Sequence, residues 1–373
     1  MVAPPPENTS GVGKYTDTLT DELSGELSVT VQYFPAESTR PLKFLKSAIE
    51  AGTAEEDIVH IQYDYVLFGR FSLMSLLFFP VLFLTKHLFG TSVVVTMHEV
   101  INANLVGKRL WWVKAVYVSV VNKSIAKATD RTVFLSDRTE RLFAQYLDED
   151  SSCRVPHGVP SPENCSTSKE TAKREFGYEA DEKLIIEPGY VDPRKGSHVF
   201  REIAELMPEF EFLLAGGSPR EKYDDYAEDI MVDAPSNLQL TGVLDEDKFH
   251  MAFQAADLAL LPYQELYLSG VKNTVAQSGI FNLCVAHKLP VITSSCPYFK
   301  DLETKCGCVR TFEDTNGAVD VVNEFFDKEA IRMELKDNME RFHERNNYER
   351  VIAEHVTVYA EVTEDRKYSE HQK

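Results

Sequence analysis

The chain has 373 residues, too long for one ordinary domain and comfortable for two. Hydrophobic residues at 43% and charged residues at 26% exclude a disordered or collagen-like chain. With 59 Asp and Glu against 39 Lys and Arg, the net charge of −20 argues against a nucleic-acid partner.

The opening MVAPPPENTS lacks the basic and apolar regions of a signal peptide, which points to a cytoplasmic chain. Met1-Val-Ala before Pro4-Pro-Pro leaves room for a very short first strand, unless that strand starts upstream. Leu19, Leu23 and Leu27 recur at helical spacing and predict a helix over Thr16–Leu27. Ser28–Phe34 alternates like a strand, and Asp57–Gln62, Ser92–Met97 and Arg131–Ser136 are short β-branched runs of the buried parallel kind. Residues 156–180, rich in Pro, Ser and charge, read as a junction. Strands are then predicted at Lys183–Glu187, Glu211–Ala215, Asn237–Thr241, Leu258–Leu261 and Val291–Thr293, with helices over His198–Leu206 and Asp247–Ala256. Residues 329–365 carry helical periodicity and are expected to pack back onto the first domain. Strands alternating with helices imply right-handed βαβ units and doubly wound parallel sheets, an α/β class.

Six cysteines (153, 165, 284, 296, 306, 308) do not make a disulfide scaffold in a chain this long. Cys306-Gly-Cys308 has no CxxC or His-rich companion, so free thiols are favoured over zinc, and no metal is expected. Asn8-Thr-Ser and Asn164-Cys-Ser match the glycosylation pattern, unused in a cytoplasmic chain. The acidity fits a halophilic source or an ordinary acidic protein, and Lys is not depleted.

Several turns carry candidate chemistry. Ser10-Gly-Val-Gly-Lys-Tyr-Thr16 precedes the first helix, where Gly11 and Gly13 would let backbone approach a ligand, or form a plain turn. Gly189-Tyr-Val-Asp-Pro-Arg-Lys-Gly196 follows a strand and opens a helix. Lys195 at a helix N-terminus is unexpected unless it faces an anion such as phosphate, with Arg194 as a second contact; a solvated turn is the alternative. Leu213-Leu-Ala-Gly-Gly217 ends a strand in paired glycines, at the edge where α/β sites form. Backbone groups around Val243, in Thr241-Gly-Val-Leu-Asp245, are placed to read a nucleobase. Ser278 and Gly279 begin a helix whose N–H groups would face a phosphate, though any helix start needs a polar cap. His98 ends the SVVVTM strand and is a site candidate or a structural histidine; His157 and His287 read as structural.

The ordered set GVGKYT, DIVHIQYDY, VVVTMHEV, VFLSDRTERL, VPHGVP, GYVDPRKG, FLLAGG, NLQLTGVLDEDKF, AADLALLPY and SGIFNLCVAHKLPVITS resembles the GT-B glycosyltransferases, within them glycosyltransferase family 4. The resemblance runs from residue 10 to about 295, and NNYERVIAEHVTVY resembles the family's closing helix. It implies two Rossmann-like domains facing a cleft: 1–165, joined by a C-terminal helix at 346–373, and 176–345, which binds a nucleotide sugar. It implies that Lys195 contacts the donor diphosphate, that Gly11 and Gly13 face the phosphates, that His98 touches the donor sugar, and that the main chain at Val243 meets the base. Retaining transfer of a hexose to a glycan or lipid-linked acceptor, without a metal, follows as the expected activity, in cell-surface polysaccharide or glycoprotein glycan synthesis.

The chain departs from the family in places. Its frequent Glu pair, eight apart, falls on Val275 and Leu283, and its frequent Arg after the glycine is Tyr190. Ser278-Gly279 is favoured as the phosphate turn over Ser269-Gly270, in a loop at 264–277 enlarged by about nine residues. These departures keep two alternatives open, a non-catalytic GT-B module binding nucleotide sugar or glycan, and a sugar-nucleotide epimerase, for which Glu99 and Glu265 are the few available carboxylates.

Val66–Leu84 is strongly apolar but broken by Arg70 and Pro80, too short to span a bilayer, and suits a core helix pair. Lys108-Arg-Leu-Trp-Trp-Val-Lys114, with Lys123 and Lys127, holds both tryptophans among cations. Regions 66–84 and 108–127 are therefore expected to meet an anionic membrane surface peripherally.

Overall fold

A computed structural model describes residues 1–6, 11–36, 38–148, 150–161, 167–218, 223–268, 271–272 and 275–371. The Ser269-Gly270 alternative therefore lies outside the described residues. The chain divides into two compact units. Unit 1 is Met1–His157, Tyr267–Gln277 and Tyr348–Lys373; unit 2 is Gly158–Leu266 and Ser278–Asn347. The sequence reading drew its first boundary at 165; the contacts draw it at 157, and they assign part of the 264–277 loop to unit 1.

In chain order, unit 1 contains β1 (Val2–Ala3), α1 (Val12–Leu23), β2 (Gln32–Tyr33), α2 (Pro41–Gly52), β3 (Ile58–Tyr63), α3 (Ser75–Phe89), β4 (Ser92–Met97), α4 (Trp111–Ala128), β5 (Arg131–Phe134), α5 (Asp137–Phe143) and β6 (Ser152–Arg154). Unit 2 continues with α6 (Lys169–Glu175), β7 (Leu184–Pro188), α7 (Ser197–Leu206), β8 (Glu211–Ala215), α8 (Asp224–Met231), β9 (Leu238–Leu240), α9 (Glu246–Ala255) and β10 (Leu258–Leu261). The hairpin β11 (Tyr267–Leu268) and β12 (Val271–Lys272) belongs to unit 1. Unit 2 then closes with α10 (Gly279–Ala286), β13 (Val291–Ser294), α11 (Pro297–Cys306), β14 (Arg310–Phe312), α12 (Thr315–Asp327) and α13 (Glu329–Asn346), before α14 (Tyr348–His371) returns to unit 1.

Each unit holds a six-stranded parallel sheet, in the orders β2-β1-β3-β4-β5-β6 and β14-β13-β10-β7-β8-β9. The central strands β4, β7 and β10 are buried throughout, which is why their sequences are continuous apolar runs rather than alternating ones. In both orders the strand next to the first in sequence switches side, so the two sheets are doubly wound.

Three predicted elements fall differently. The first helix starts four residues early, because Gly11 takes a left-handed φ of 78° that turns the chain into it. It ends at Leu23, where Ser24 N and Leu27 N bond back to Thr20 O and Leu23 O. The predicted strand 28–34 pairs only at Gln32–Tyr33, against the equally short β1. The helical stretch 329–365 is two helices in different units: α13 in unit 2 and α14 in unit 1. On α14, Val351, Ile352, Val358 and Val362 close a core with Tyr15, Leu19 and Leu23 of α1 and Val94 and Val133 of the sheet.

Candidate functional site

The turn after β7 is folded by Asp192. Its Oδ1 accepts the backbone N–H of Arg194 at 2.7 Å and of Lys195 at 3.1 Å. At Gly196 φ is +80°, and a Cβ there would lie 1.9 Å from the carbonyl oxygen of Pro262. Only glycine lets this turn press onto the end of β10, where Gln264 N donates to Arg194 O at 2.8 Å. Lys195 is thereby set beside Tyr263.

Lys195 Nζ donates to Tyr263 Oη at 2.7 Å, and Tyr263 Oη lies 2.7 Å from Ser278 Oγ. Ser278 is the N-cap of α10 and accepts from Phe281 N at 3.1 Å. Lysine offers donors only, so the Tyr263 oxygen accepts from it, and either hydroxyl of the Tyr263–Ser278 pair can donate to the other. The Tyr263 ring is held by stacking on Phe299 at 5.6 Å and by Ser294 Oγ donating to Tyr263 O at 2.6 Å. A cation held at a helix N-terminus opposes the helix dipole unless an anion sits between them. The chain Lys195–Tyr263–Ser278, with exposed Gly279 next to it, is therefore arranged for an anion. Arg194 is exposed and pairs with Asp192 at 3.7 Å.

The neighbouring strand ends come together through glycines. A Cβ on Gly216 would meet Gly189 O at 1.9 Å, and one on Gly217 would meet Val243 N at 2.8 Å. Gly217 thus has a packing reason: the turns after β7, β8 and β9 close on one another there. Val243 beside it is 82% exposed, and Tyr190, in the place of the expected arginine, is 48% exposed.

Beneath the Lys195 turn, Glu187 on β7 is only 3% exposed. Ser197 Oγ donates to its Oε1 at 2.6 Å. Burial pushes its carboxyl up to about 8, against the pull of the Ser197 bond and of Lys195, and with Asp192 adding to the rise.

In unit 1, a Cβ on Gly11 would meet nothing within 4 Å among the described residues, whereas one on Gly13 would lie 2.2 Å from Pro5 O. Gly13 is accounted for by α1 closing on the Pro4–Pro6 segment. His98, 4% exposed, places Nε2 2.8 Å from Gln62 Oε1 and meets Tyr15 edge-to-face at 4.9 Å. Tyr15 packs in turn on His157 at 4.7 Å. Burial, with His157 nearby, lowers His98 to about 3, so its imidazole is neutral at physiological pH.

Among the described residues, no three His, Cys, Asp or Glu side chains gather as a metal site, and no helix is long and apolar enough to cross a membrane.

Comparison with known proteins sets this geometry in a fold. No family model matches the chain. A glycosyltransferase from Rickettsia africae superposes with a TM-score of 0.71 at 16% identity, over 97% of each chain. Sucrose-phosphate synthase from Thermosynechococcus elongatus gives 0.69 at 15% identity, over 95% of this chain and 94% of that one. The chain has the GT-B fold. A third GT-B structure, HepE of Anabaena with UDP and glucose, gives 0.65 at 11% identity, over 92% and 89%. In sequence, 100 residues are 31% identical to the alpha-galactosylglucosyldiacylglycerol synthase of Streptococcus pneumoniae, covering 26% of each chain. Another 27% match over 130 residues joins 35% of this chain to 36% of the processive diacylglycerol alpha-glucosyltransferase of Acholeplasma laidlawii. The matched segments thus span a quarter to about a third of these curated relatives, and both relatives bear the names of glycosyl-transferring enzymes, in line with the family-4 resemblance.

Lys195, Ser278 and Gly279 are brought together on the GT-B scaffold of unit 2, with Gly217 and Val243 on the adjoining strand ends. Sequence reasoning missed Tyr263, Asp192 and Glu187. The signal for Tyr263 was the Pro-Tyr that ends AADLALLPY; Glu187 had only the oddity of a carboxylate closing an apolar strand.

Proposed function

We propose that this GT-B chain is a retaining, metal-independent glycosyltransferase that moves a hexose from a nucleotide sugar to a glycan or lipid-linked acceptor. The observation that carries the reading is the Lys195–Tyr263–Ser278 chain at the N-terminus of α10. As the bond from the anomeric carbon to the diphosphate breaks, negative charge grows on the leaving oxygen. Lys195 and the first N–H groups of α10 would stabilise that charge. The acceptor hydroxyl attacks on the face the diphosphate leaves, and its proton passes to the departing phosphate oxygen. Atoms and charge then balance with no protein base. Neighbours solved with UDP and the diacylglycerol-named relatives support the donor and acceptor classes.

The test is a thermal-shift panel of UDP-, GDP- and ADP-sugars, in low and high KCl, on wild type and Lys195→Ala. A shift with one nucleotide class that the variant loses supports the reading; no shift on folded protein refutes it. Tyr190 favours a second reading, a binding module without turnover, because one cation fewer faces the diphosphate. Binding without product formation from any acceptor would select it. An epimerase would instead convert the nucleotide sugar with no acceptor present. A rise in melting temperature with KCl would support a halophilic, salt-rich cytoplasm for the acidic chain.

The reading includes a peripheral position on an anionic bilayer. In α3, Phe78, Phe79 and Leu82 are core, but Leu84, Leu88 and Phe89 are exposed, Leu88 by 79%. The adjacent α4 likewise exposes Trp111, Trp112, Val113, Val116 and Val120. The expectation of a buried helix pair thus holds for one face only. Lys108, Arg109, Lys123 and Lys127 are exposed around this apolar surface in a chain of charge −20. Local cations beside exposed tryptophans match anionic headgroups rather than another acidic surface.

A further inference from the structure

We propose that Glu187 is a positioning residue for donor binding: its buried carboxyl holds a proton beneath the Lys195 turn, and losing that proton weakens the diphosphate contact. This rests on the donor site proposed above. The geometry is that of a carboxyl with one oxygen satisfied and one not. Oε1 takes the Ser197 hydroxyl at 2.6 Å, while Oε2 is buried with no hydrogen-bond partner among the described residues. An ionised carboxylate oxygen left so is costly, whereas a neutral carboxyl is tolerated.

The groups around it explain why its charge would matter. Lys195 and Asp192 reach it from the turn, and Tyr226 from α8, where it bonds the backbone N–H of His198 at 3.1 Å. The flanking strands β8 and β10 bring only Leu213, Leu214, Ala215 and Leu258–Leu261 alongside. From α9, which also packs on β7, the buried titratable group is His250, already paired with His287 at 2.9 Å. While Glu187 is neutral, Lys195 presents its full charge to a diphosphate. Once ionised, Glu187 becomes a fixed anion that competes for Lys195 and repels the ligand. The other cation of the turn is Arg194, exposed and paired with Asp192 at 3.7 Å. The elevated titration of the buried carboxyl, about 8, puts this change just above neutrality.

The test is isothermal titration of UDP, GDP and ADP into wild type and Glu187→Gln from pH 6.5 to 9, with urea unfolding of both proteins over the same range. Wild-type affinity for the bound nucleotide should fall by at least about fivefold between pH 7 and 9. Glu187→Gln should hold its pH 7 affinity. Because the folded state binds this proton more tightly than the unfolded state, wild-type stability should decline as pH rises towards 8, and Glu187→Gln should lose that decline. Ser197→Ala, which removes the bond favouring the charged form, should move the alkaline loss of affinity to higher pH. Equal pH profiles of affinity in wild type and Glu187→Gln overturn the inference while leaving the donor site standing. Unfolding slopes that do not differ overturn it as well. No nucleotide binding at any pH overturns the donor site itself, and the inference with it.

Discussion

Tyr263 joins two residues far apart in sequence, Lys195 and Ser278, 68 and 15 positions away. Tyr263→Phe keeps the ring on Phe299 and removes both hydrogen bonds of its hydroxyl. Because both bonds belong to the fold itself, the variant should lose about 1 to 1.5 kcal/mol in urea unfolding. With Lys195 no longer held, it should also bind its nucleotide roughly five- to tenfold more weakly, read by calorimetry. Unchanged affinity would remove Tyr263 from the site. Gly196→Ala tests the turn instead. A left-handed φ and a methyl against Pro262 O should together cost about 2 to 4 kcal/mol in urea unfolding. A cost under about 0.5 kcal/mol would mean the turn relaxes freely. Lys195 and Ser278 were legible because each sits at a polar turn that opens a helix. Tyr263 and Glu187 were not, because Tyr263 follows the core strand β10 by two residues and Glu187 lies near the end of the core strand β7. Which of those end residues meets a lysine depends on pairings across the sheet, and local pattern does not carry them. Gly13, read as part of a ligand loop, also has a packing requirement that the sequence did not show, against Pro5 O.

At the scale of elements, the strands read most clearly, since burial on both faces favours apolar runs such as LALL and VVV. Helix ends read less well, because Gly11 sets the start of α1 by a backbone angle and not by apolar spacing. The exposed faces of α3 and α4 lead to a vesicle experiment. Wild type should co-sediment with anionic vesicles, less so at high salt. Leu88→Glu with Trp112→Glu should reduce binding more than about tenfold, since each side chain withdraws about 1.5 to 3 kcal/mol of apolar burial. No sedimentation of wild type would sink the membrane position. A second element-scale expectation concerns α14, whose Tyr359 Oη lies 2.6 Å from His60 Nδ1. Burial lowers His98 to about 3, His355 to about 4, and His60 well below its usual value. The unfolded chain therefore binds protons that the folded chain refuses. Stability should fall as pH drops below about 6.5, by roughly 2 kcal/mol for each such histidine at pH 5. Thermal melts from pH 7 to 4.5 would show this, and a flat profile would contradict these burials.

For the molecule as a whole, the alternation of strands and helices made the two-sheet architecture legible. The interruption of unit 1 by unit 2 was legible only in outline. The helical period of 329–365 does not itself show a break at Asn347; the division at 345/346 comes from the family resemblance and not from the periodicity. Removing residues 348–373 should strip Val351, Ile352, Val358 and Val362 from the core around α1. Hydrogen exchange should then rise across β1–β6 while β7–β10 keep their protection; uniform change in both units would refute this. The same arrangement has a consequence in time. A ribosome adds roughly 5 to 20 residues per second, so the ~190 residues from Gly158 to Asn347 separate the first sheet of unit 1 from its closing helix by about 10 to 40 seconds. Throughout that interval Leu19, Leu23, Val94 and Val133 await their apolar cover. The half of the protein that is made first is thus the half that finishes last.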